Sequence, residues 1–416
     1  MGPQILCDKS SFEPLGPAPM AAFRRYYNLV IPPVLLVEIL ADLTKEYHNN
    51  TSRNYVIGLA NRIVPLGSAV NVNFRDLIDM ELLGELPNLR SVPIIAEGEK
   101  VASPDGKKGV KAEQCPEMEA LLRWQTGDFT TADNMTAVIW RSYAKGIDLA
   151  AAQEFLCTRY PGLPRLRKME DARKTADEII ALEKREDLLA FFMEDAGAPP
   201  GARTRFLANL AKLPPGNLAS VAPYTRHCVR ATLIFLLATA NELVSSRPTN
   251  RIDLEYLFYA PFANGFTSSD KFLVRMCEVA LPNDQMFIHG EALRKDLLVL
   301  SEMWERFTPG EKEAEEQIYG PPENPDSVTH QVWQRYMKPG YRQRRRPKLT
   351  RELSDRLMEL VTPIMAASPT GEHLQKDDAQ NSDFLFRNIE VRLDGPCPCG
   401  ERKTFKACCW AKAQSR

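Results

Sequence analysis

The chain closes on CPCGERKTFKACCW, residues 397–410, where Cys397, Cys399, Cys408 and Cys409, four of the nine cysteines in 416 residues, fall within thirteen positions. Cys397 and Cys399 are one residue apart, Cys408 and Cys409 are adjacent, and an eight-residue loop separates the pairs. Two such pairs can surround one tetrahedral ion. Four thiolates with no open position make a closed structural zinc site rather than a catalytic one. Gly400 and the cationic Arg402, Lys403 and Lys406 suit a tight, electropositive loop around an anionic tetrathiolate. The rival, a pair of disulfides, fits poorly with adjacent cysteines in an otherwise thiol-bearing chain without an export signal. Zn²⁺ is therefore the expected occupant.

A second set of residues able to do chemistry is acidic. Asp8 follows QILC, Glu38 sits within VLLVEIL, Asp253 opens an otherwise apolar helix and Asp270 follows NGFTSS. An acid within or at the end of a buried element costs several kcal/mol unless it is paired or bound to a metal. Strand C-termini in an α/β sheet converge on one edge, so Asp8 and Asp270 are expected to share a crevice there. Four carboxylates at such an edge suit Mg²⁺ or Mn²⁺, hard cations that keep part of their water shell and serve phosphate chemistry. For each acid alone, a helix cap or a salt bridge is the plainer account. Asp253, close behind Asn250 at a helix start, fits capping and the helix dipole.

The elements that must position these residues alternate in type. YNLVIPPVLLVEILADLTKEY passes from a strand into a helix, with Pro32 and Pro33 at the break, which gives an α/β opening. From 61 to 224 the pattern is helices joined by Pro- and Gly-bearing loops. MEDARKTADEIIALEKREDLLAFFMEDAG is the clearest helical stretch, and VPIIAEGEKVASPDGKKGVK hints at a strand pair around Asp105 and Gly106. A helix from near Ile252 to Pro261 and a short strand, NGFTS, then lead into Asp270. EKEAEEQIYGPPENPDS reads as a linker or exposed loop, followed by a basic helix around 347–366. The expected organisation is a core at 1–60 and 225–310, a helical block at 61–224, a linker with basic helix at 311–370 and a zinc-binding tail at 371–416.

Composition excludes several classes. The 53 basic and 54 acidic side chains leave a net charge of −1, so whole-chain charge argues neither for nor against nucleic acid. Locally, residues from Gln331 onward carry seventeen basic against ten acidic side chains, led by RQRRRPK at 342–348. MGPQILCDKS lacks the basic and apolar regions of a signal peptide, and the longest apolar run, ATLIFLLATA, is too short to span a bilayer. The expectation is a cytoplasmic protein with no membrane span, ATLIFLLATA forming a buried helix. Cys7, Cys115, Cys157, Cys228 and Cys277 read as small apolar packing residues. No P-loop, GxGxxG, HExxH or GxSxG occurs. His227 beside Cys228 reads as an ordinary helical pair, because neighbouring helical residues point in different directions.

The CPCGERKTFKACCW segment resembles the SEC-C motif, the zinc knuckle at the C-terminus of the SecA translocation motor that is also appended to many unrelated bacterial proteins. Cys397, Pro398, Cys399, Gly400, Lys403, Phe405, Lys406, Cys408 and Cys409 fit the motif, and Glu401 and Arg402 replace its usual Ser-Gly. The knuckle names an accessory, so function must lie upstream. The ordered acids resemble those of the PIN and PIN-like nucleases, with Asp8 in ILCD, Glu38 in IPPVLLVEILADL, Asp253 in RIDLEYLFYAPFANGF and Asp270 in TSSDKF. Lys9 and Ser10 stand where that family has Thr-Asn. About two hundred residues separate Glu38 from Asp253, so the resemblance implies a PIN-like three-layer core with a parallel sheet, split by a large α-helical insertion.

That resemblance implies a metal-dependent nuclease, RNA favoured over DNA, in which Asp8, Glu38, Asp253 and Asp270 hold Mg²⁺ or Mn²⁺ and Ser269 or Thr267 adds an oxygen. Arg342, Arg344, Arg345, Arg346 and Lys348 are the leading nucleic-acid contacts. Arg159, Arg165, Arg167, Lys168, Arg203 and Arg205 are further candidates, with Tyr160 and Phe206 placed to stack on bases. The alternative is an inactive PIN-like binding protein that recruits nucleic acid, a ribosome or a protein partner through its knuckle and basic tract.

Overall fold

A computed structural model describes residues 2–44, 51–64, 70–85, 94, 99–102, 108–111, 116–198, 200–316, 318–337, 344–345, 351, 355–356, 358–359, 393–397 and 401–411. It is mostly helical. The strands β1 (Gln4–Cys7), β2 (Asn28–Val30), β3 (Glu99–Ala102), β4 (Lys108–Lys111), β5 (Gly265–Ser268) and β6 (Met286–His289) form two sheets. The main sheet runs β2-β1-β5-β6 and every pairing in it is parallel. A parallel bridge from Ile31 to Val70 extends the β2 edge. Such sheets are covered on both faces, which is why β1 and β5 read as nearly unbroken buried runs rather than alternating ones. The α/β expectation holds, and β3 and β4 pair antiparallel where the hairpin was expected.

Chain order and spatial order reverse at the middle of this sheet. From β1 the chain crosses to β2 on one side, and from β5 it crosses to β6 on the other. The crevice beyond the C-terminal ends of β1 and β5 is therefore a topological switch point, the place where open parallel sheets bind ligands.

The helices that reach this edge start where proline or a capping side chain ends the preceding extended segment. Pro33, at the first helical position, opens helix Pro33–Ala41, where its fixed φ and missing N–H cost nothing. Helix Asn250–Phe258 packs on it. Between them in sequence, the helices from Phe74–Leu82 to Pro200–Lys212 bury their apolar faces in the same cluster as the sheet, which runs from Ile5 to Val332. The join is polar as well as apolar. Buried Glu81 accepts from the Tyr224 and Thr225 amides and the Thr225 hydroxyl, each at 2.7 Å, capping helix Pro223–Ala240. That helix contains ATLIFLLATA and is buried as expected. No helix among the described residues is long and apolar enough to cross a membrane.

Two expectations about elements need correction. The stretch from 169 to 195 is two helices, Met169–Leu182 and Arg185–Asp195, because the chain turns extended at Glu183 and Lys184. The presumed linker carries helix Pro309–Glu316 and then helix Val328–Tyr336, which docks into the core. Asp296 holds its start through the Ser327 hydroxyl (3.0 Å) and the Thr329 amide (2.9 Å) and hydroxyl (2.6 Å). Its Val332 and Trp333 are buried, and the Trp333 indole donates to the Tyr26 carbonyl at 2.9 Å. Polar and proline-rich residues around this helix mask its apolar face in the sequence.

Candidate acidic site and cysteine cluster

Asp8 follows β1 directly and is buried at the switch point. Its Oδ1 accepts from the Ser11 amide (3.0 Å) and hydroxyl (2.8 Å), capping the short helix Lys9–Phe12. Its Oδ2 accepts from the Ser10 hydroxyl (2.7 Å) and the Ser268 hydroxyl (2.8 Å), the latter at the end of β5. Burial pushes the Asp8 carboxyl above its ordinary value, and these hydroxyls oppose the shift. Three serines, Ser10 and Ser11 just after Asp8 in the chain and Ser268 on the neighbouring strand, thus hold the carboxylate. Ser268 reaches it, whereas Ser269 donates its amide to the Ser10 hydroxyl at 3.0 Å and the Thr267 hydroxyl, buried, has no partner among the described residues.

Asp270 divides its oxygens in the same way. Oδ1 caps helix Lys271–Ala280 by accepting from the Phe272 (2.8 Å) and Leu273 (3.3 Å) amides, while Oδ2 accepts from the Arg247 guanidinium at 3.2 Å. Capping therefore accounts for one oxygen of each strand-end acid and leaves the other turned to polar or charged groups of the crevice.

Glu38 and Asp253 come from the two packed helices. Tyr256 donates its phenol to Glu38 Oε2 at 2.5 Å. Burial pushes Glu38 up to about 7, opposed by the Tyr256 hydrogen bond and Lys9 and reinforced by Asp8 and Asp42. Lys9 is paired with Asp42 and, at 3.3 Å, with Glu13, and it donates to the Glu38 carbonyl at 3.2 Å. Asp253 lies in the first turn of its helix, where the dipole favours an acid as expected, but it caps nothing: the N-cap is Thr249, and among the described residues the Asp253 carboxylate makes neither a hydrogen bond nor an ion pair. Burial, then the fields of Glu38, Asp270 and Asp8, push it up to about 8, with Arg247 opposing. Glu255 points elsewhere, into a buried group with Arg251 (3.8 Å), which itself pairs with Asp195 at 2.9 Å.

The four acids thus act on one another across the sheet edge, but they are not drawn into a tight knot. Among the described residues no three acidic side chains bring one oxygen each to within 4.8 Å of one another. A hard ion here would touch one or two carboxylates directly and the others through water, which is the ordinary habit of Mg²⁺. All-oxygen donors and the unpartnered Asp253 fit such an ion.

The cysteine cluster is compact. The sulfurs of Cys397, Cys408 and Cys409 lie within 4.8 Å of one another and can hold a metal; Cys399 lies outside the described residues. Residues 393–397 fold over 401–411 through the Pro396–Thr404 bridge and the hydrogen bond from the Cys397 amide to the Lys403 carbonyl, 3.0 Å, and the turn Lys406–Trp410 carries the second cysteine pair. Phe405, Cys397 and Cys408 are buried against Val138 and Ile139 of helix Thr131–Gly146, while Arg402, Lys403 and Lys406 face outward. Helix Thr131–Gly146 in turn packs on helix Pro33–Ala41, which carries Glu38.

Other expected contacts fare differently. Phe206 is buried and cannot stack on a base, and neighbouring Arg205 pairs with Asp79 at 3.2 Å. Tyr160 is half-buried beside Arg159. Arg342, Arg346 and Lys348 lie outside the described residues, and Arg344–Arg345 forms a short antiparallel pair with Ile318–Tyr319. Cys7, Cys228 and Cys277 are buried as expected, Cys157 is exposed, and Cys115 lies outside the described residues. His227 bonds the Leu257 carbonyl at 2.8 Å and burial pushes it down to about 4, an ordinary core histidine. The sequence reading missed Ser11, Ser268, Lys9, Tyr256 and Arg247. Only the serines carried a signal, as hydroxyls flanking Asp8 and Asp270.

Family models, curated proteins and solved structures give no match to this chain.

Proposed function

We propose that the protein is a divalent-metal-dependent nuclease, acting on RNA in preference to DNA, with a PIN-like core split by a helical insertion and a SEC-C-type zinc knuckle at its C-terminal end. The observation that carries the reading is Asp253: a half-buried carboxylate without a partner, held in the field of three other acids at a sheet switch point. Keeping it there costs stability, which a bound cation would repay.

Asp8, Glu38, Asp253 and Asp270 would hold Mg²⁺ or Mn²⁺. When bound, such an ion polarises a phosphodiester and lowers the pKa of a water for in-line attack. The chain's own contribution is positional. The serines fix Asp8, the Phe272 and Leu273 amides fix Asp270, and Tyr256 fixes Glu38. Glu38 and Asp253, raised to about 7 and about 8, hold protons that they would have to release to serve as ligands. Cys397, Cys399, Cys408 and Cys409 would hold Zn²⁺ structurally, with no open position for chemistry.

The second reading, a non-catalytic protein that recruits nucleic acid, a ribosome or a protein, has one observation in its favour: the outward-facing Arg402, Lys403 and Lys406 of the knuckle. One assay separates the two. Purified protein is incubated with end-labelled single-stranded and structured RNA and DNA under Mn²⁺, Mg²⁺ or EDTA, beside Asp253→Asn and Asp270→Asn. Cleavage is expected only from wild type with metal. Cleavage that survives EDTA and both substitutions sinks the carboxylate mechanism; binding without cleavage under every condition favours recruitment.

A further inference from the structure

Two cations act on the acids among the described residues, and they are held differently. Lys9, which faces Glu38, is only 12% exposed and is enclosed by Asp42 and Glu13. Arg247, which faces Asp253 and Asp270, is 57% exposed. Its Nη2 donates to Asp270 Oδ2 at 3.2 Å and to Asn250 Oδ1 at 3.2 Å, and its Nε donates to Asn250 Oδ1 at 3.3 Å. Asn250 is 0% exposed, and its amide is fixed by the Ser245 carbonyl (2.5 Å) and hydroxyl (3.1 Å). One side of the guanidinium thus rests on a rigid buried amide, and the other on an exposed ion pair of the kind that is worth little in water.

The geometry points to Arg247 as a resident counter-cation that a divalent ion displaces from Asp270, after which the guanidinium, still anchored at Asn250, grips a phosphate of the polynucleotide at the rim. This rests on the metal-dependent reading above and assigns it a substrate-binding residue. The physical case has three parts. A divalent cation outcompetes a single exposed guanidinium for a carboxylate oxygen, since it brings twice the charge at shorter range. The planar fork of arginine matches phosphate in a way that the point charge of lysine does not. Asn250 keeps the freed group at the crevice mouth, so little ordering remains to oppose phosphate binding.

The test compares wild type, Arg247→Gln and Arg247→Lys. Mn²⁺ affinity is measured by calorimetry, and affinity for a labelled single-stranded RNA is measured with Ca²⁺ in place of the catalytic ion. Arg247→Gln is expected to bind Mn²⁺ roughly fivefold more tightly, because its competitor is gone, and RNA roughly tenfold more weakly. Arg247→Lys should restore near-wild-type Mn²⁺ affinity but recover only part of the RNA affinity. Wild-type protein that binds no Mn²⁺ overturns both this proposal and the reading beneath it. Normal Mn²⁺ binding with RNA affinity unchanged in Arg247→Gln overturns the role of Arg247 alone. A Lys variant equal to wild type in RNA affinity overturns the bidentate grip.

Discussion

The Tyr256 phenol donates to Glu38 Oε2 at 2.5 Å across 218 positions of sequence. It fixes one carboxylate oxygen while Asp253, one turn earlier on the same helix face, is left without a partner. One helix therefore supplies the restraint on one acid and carries another that is left unpaired.

Tyr256→Phe keeps the ring and removes only the hydroxyl. A buried hydrogen bond to an ionisable group is worth about 1.5–3 kcal/mol, so thermal stability should fall. If Glu38 serves the metal, apparent Mn²⁺ affinity should fall as well, while binding of RNA without metal stays unchanged. Calorimetric titration and a melting curve check both. Unchanged metal affinity would detach Glu38 from the site.

Stability of the metal-free protein should depend on pH with a definite sign. Glu38 and Asp253, raised to about 7 and about 8, bind protons in the folded protein that the unfolded chain has already released. Metal-free protein therefore loses stability as pH rises from the ordinary carboxyl range, near 4, through those raised values. Its melting temperature should decline between pH 5 and pH 8.5, Mn²⁺ should reverse the decline, and Asp253→Asn should flatten it. A metal-free Asp253→Asn protein no more stable than wild type at pH 8 counts against the repulsion account.

Gly290 opens helix Gly290–Arg306 close against Ser11, Ser268 and Ser269. A Cβ there would lie 2.3 Å from the Ser269 hydroxyl oxygen and 2.8 Å from Ser11 Cβ. Gly290→Ala must therefore displace Ser269 and Ser11, the latter a donor to Asp8 Oδ1. Overpacking of this kind costs about 1–3 kcal/mol, and catalysis is expected to fall further than stability would explain. Paired melting and cleavage measurements decide it; loss of stability with unchanged turnover would free the serines from any part in catalysis.

The cysteine turn should be coupled to helix Thr131–Gly146 through Phe405, Val138 and Ile139. Cys408→Ser is expected to lose its zinc by elemental analysis and to speed amide exchange across residues 131–146. Val138→Asp should keep its zinc but release the tail to protease, since burying an unpaired carboxylate there is costly. Zinc retained in full by Cys408→Ser refutes the knuckle.

Local chemistry was legible where a single residue type forces a local outcome. Pro32 and Pro33 marked the strand-to-helix break before Glu38, QILC and NGFTS marked strands, and the cysteine spacing marked a compact cluster able to hold a metal. Helix Val328–Tyr336 was hidden, because a nine-residue amphipathic segment between prolines and acids acquires a buried face only once Tyr27 and Asp296 are brought beside it. Arg247 was hidden for a similar reason. Nothing in SSRPTN distinguishes it until Asp270 is folded alongside.

Sequence alone determined which residues could do chemistry here: acids within or at the ends of apolar elements, costly to bury without a partner, and clustered thiols at metal-ligand spacing. Only the tertiary structure decided how each is used. Asp8 and Asp270 spend one oxygen on a helix cap, and Glu38 is bonded to Tyr256, but Asp253 is left unpaired. The reason is that hydrogen bonds and fields among these groups act over a few ångströms, and the residues that supply them lie tens to hundreds of positions away along the chain.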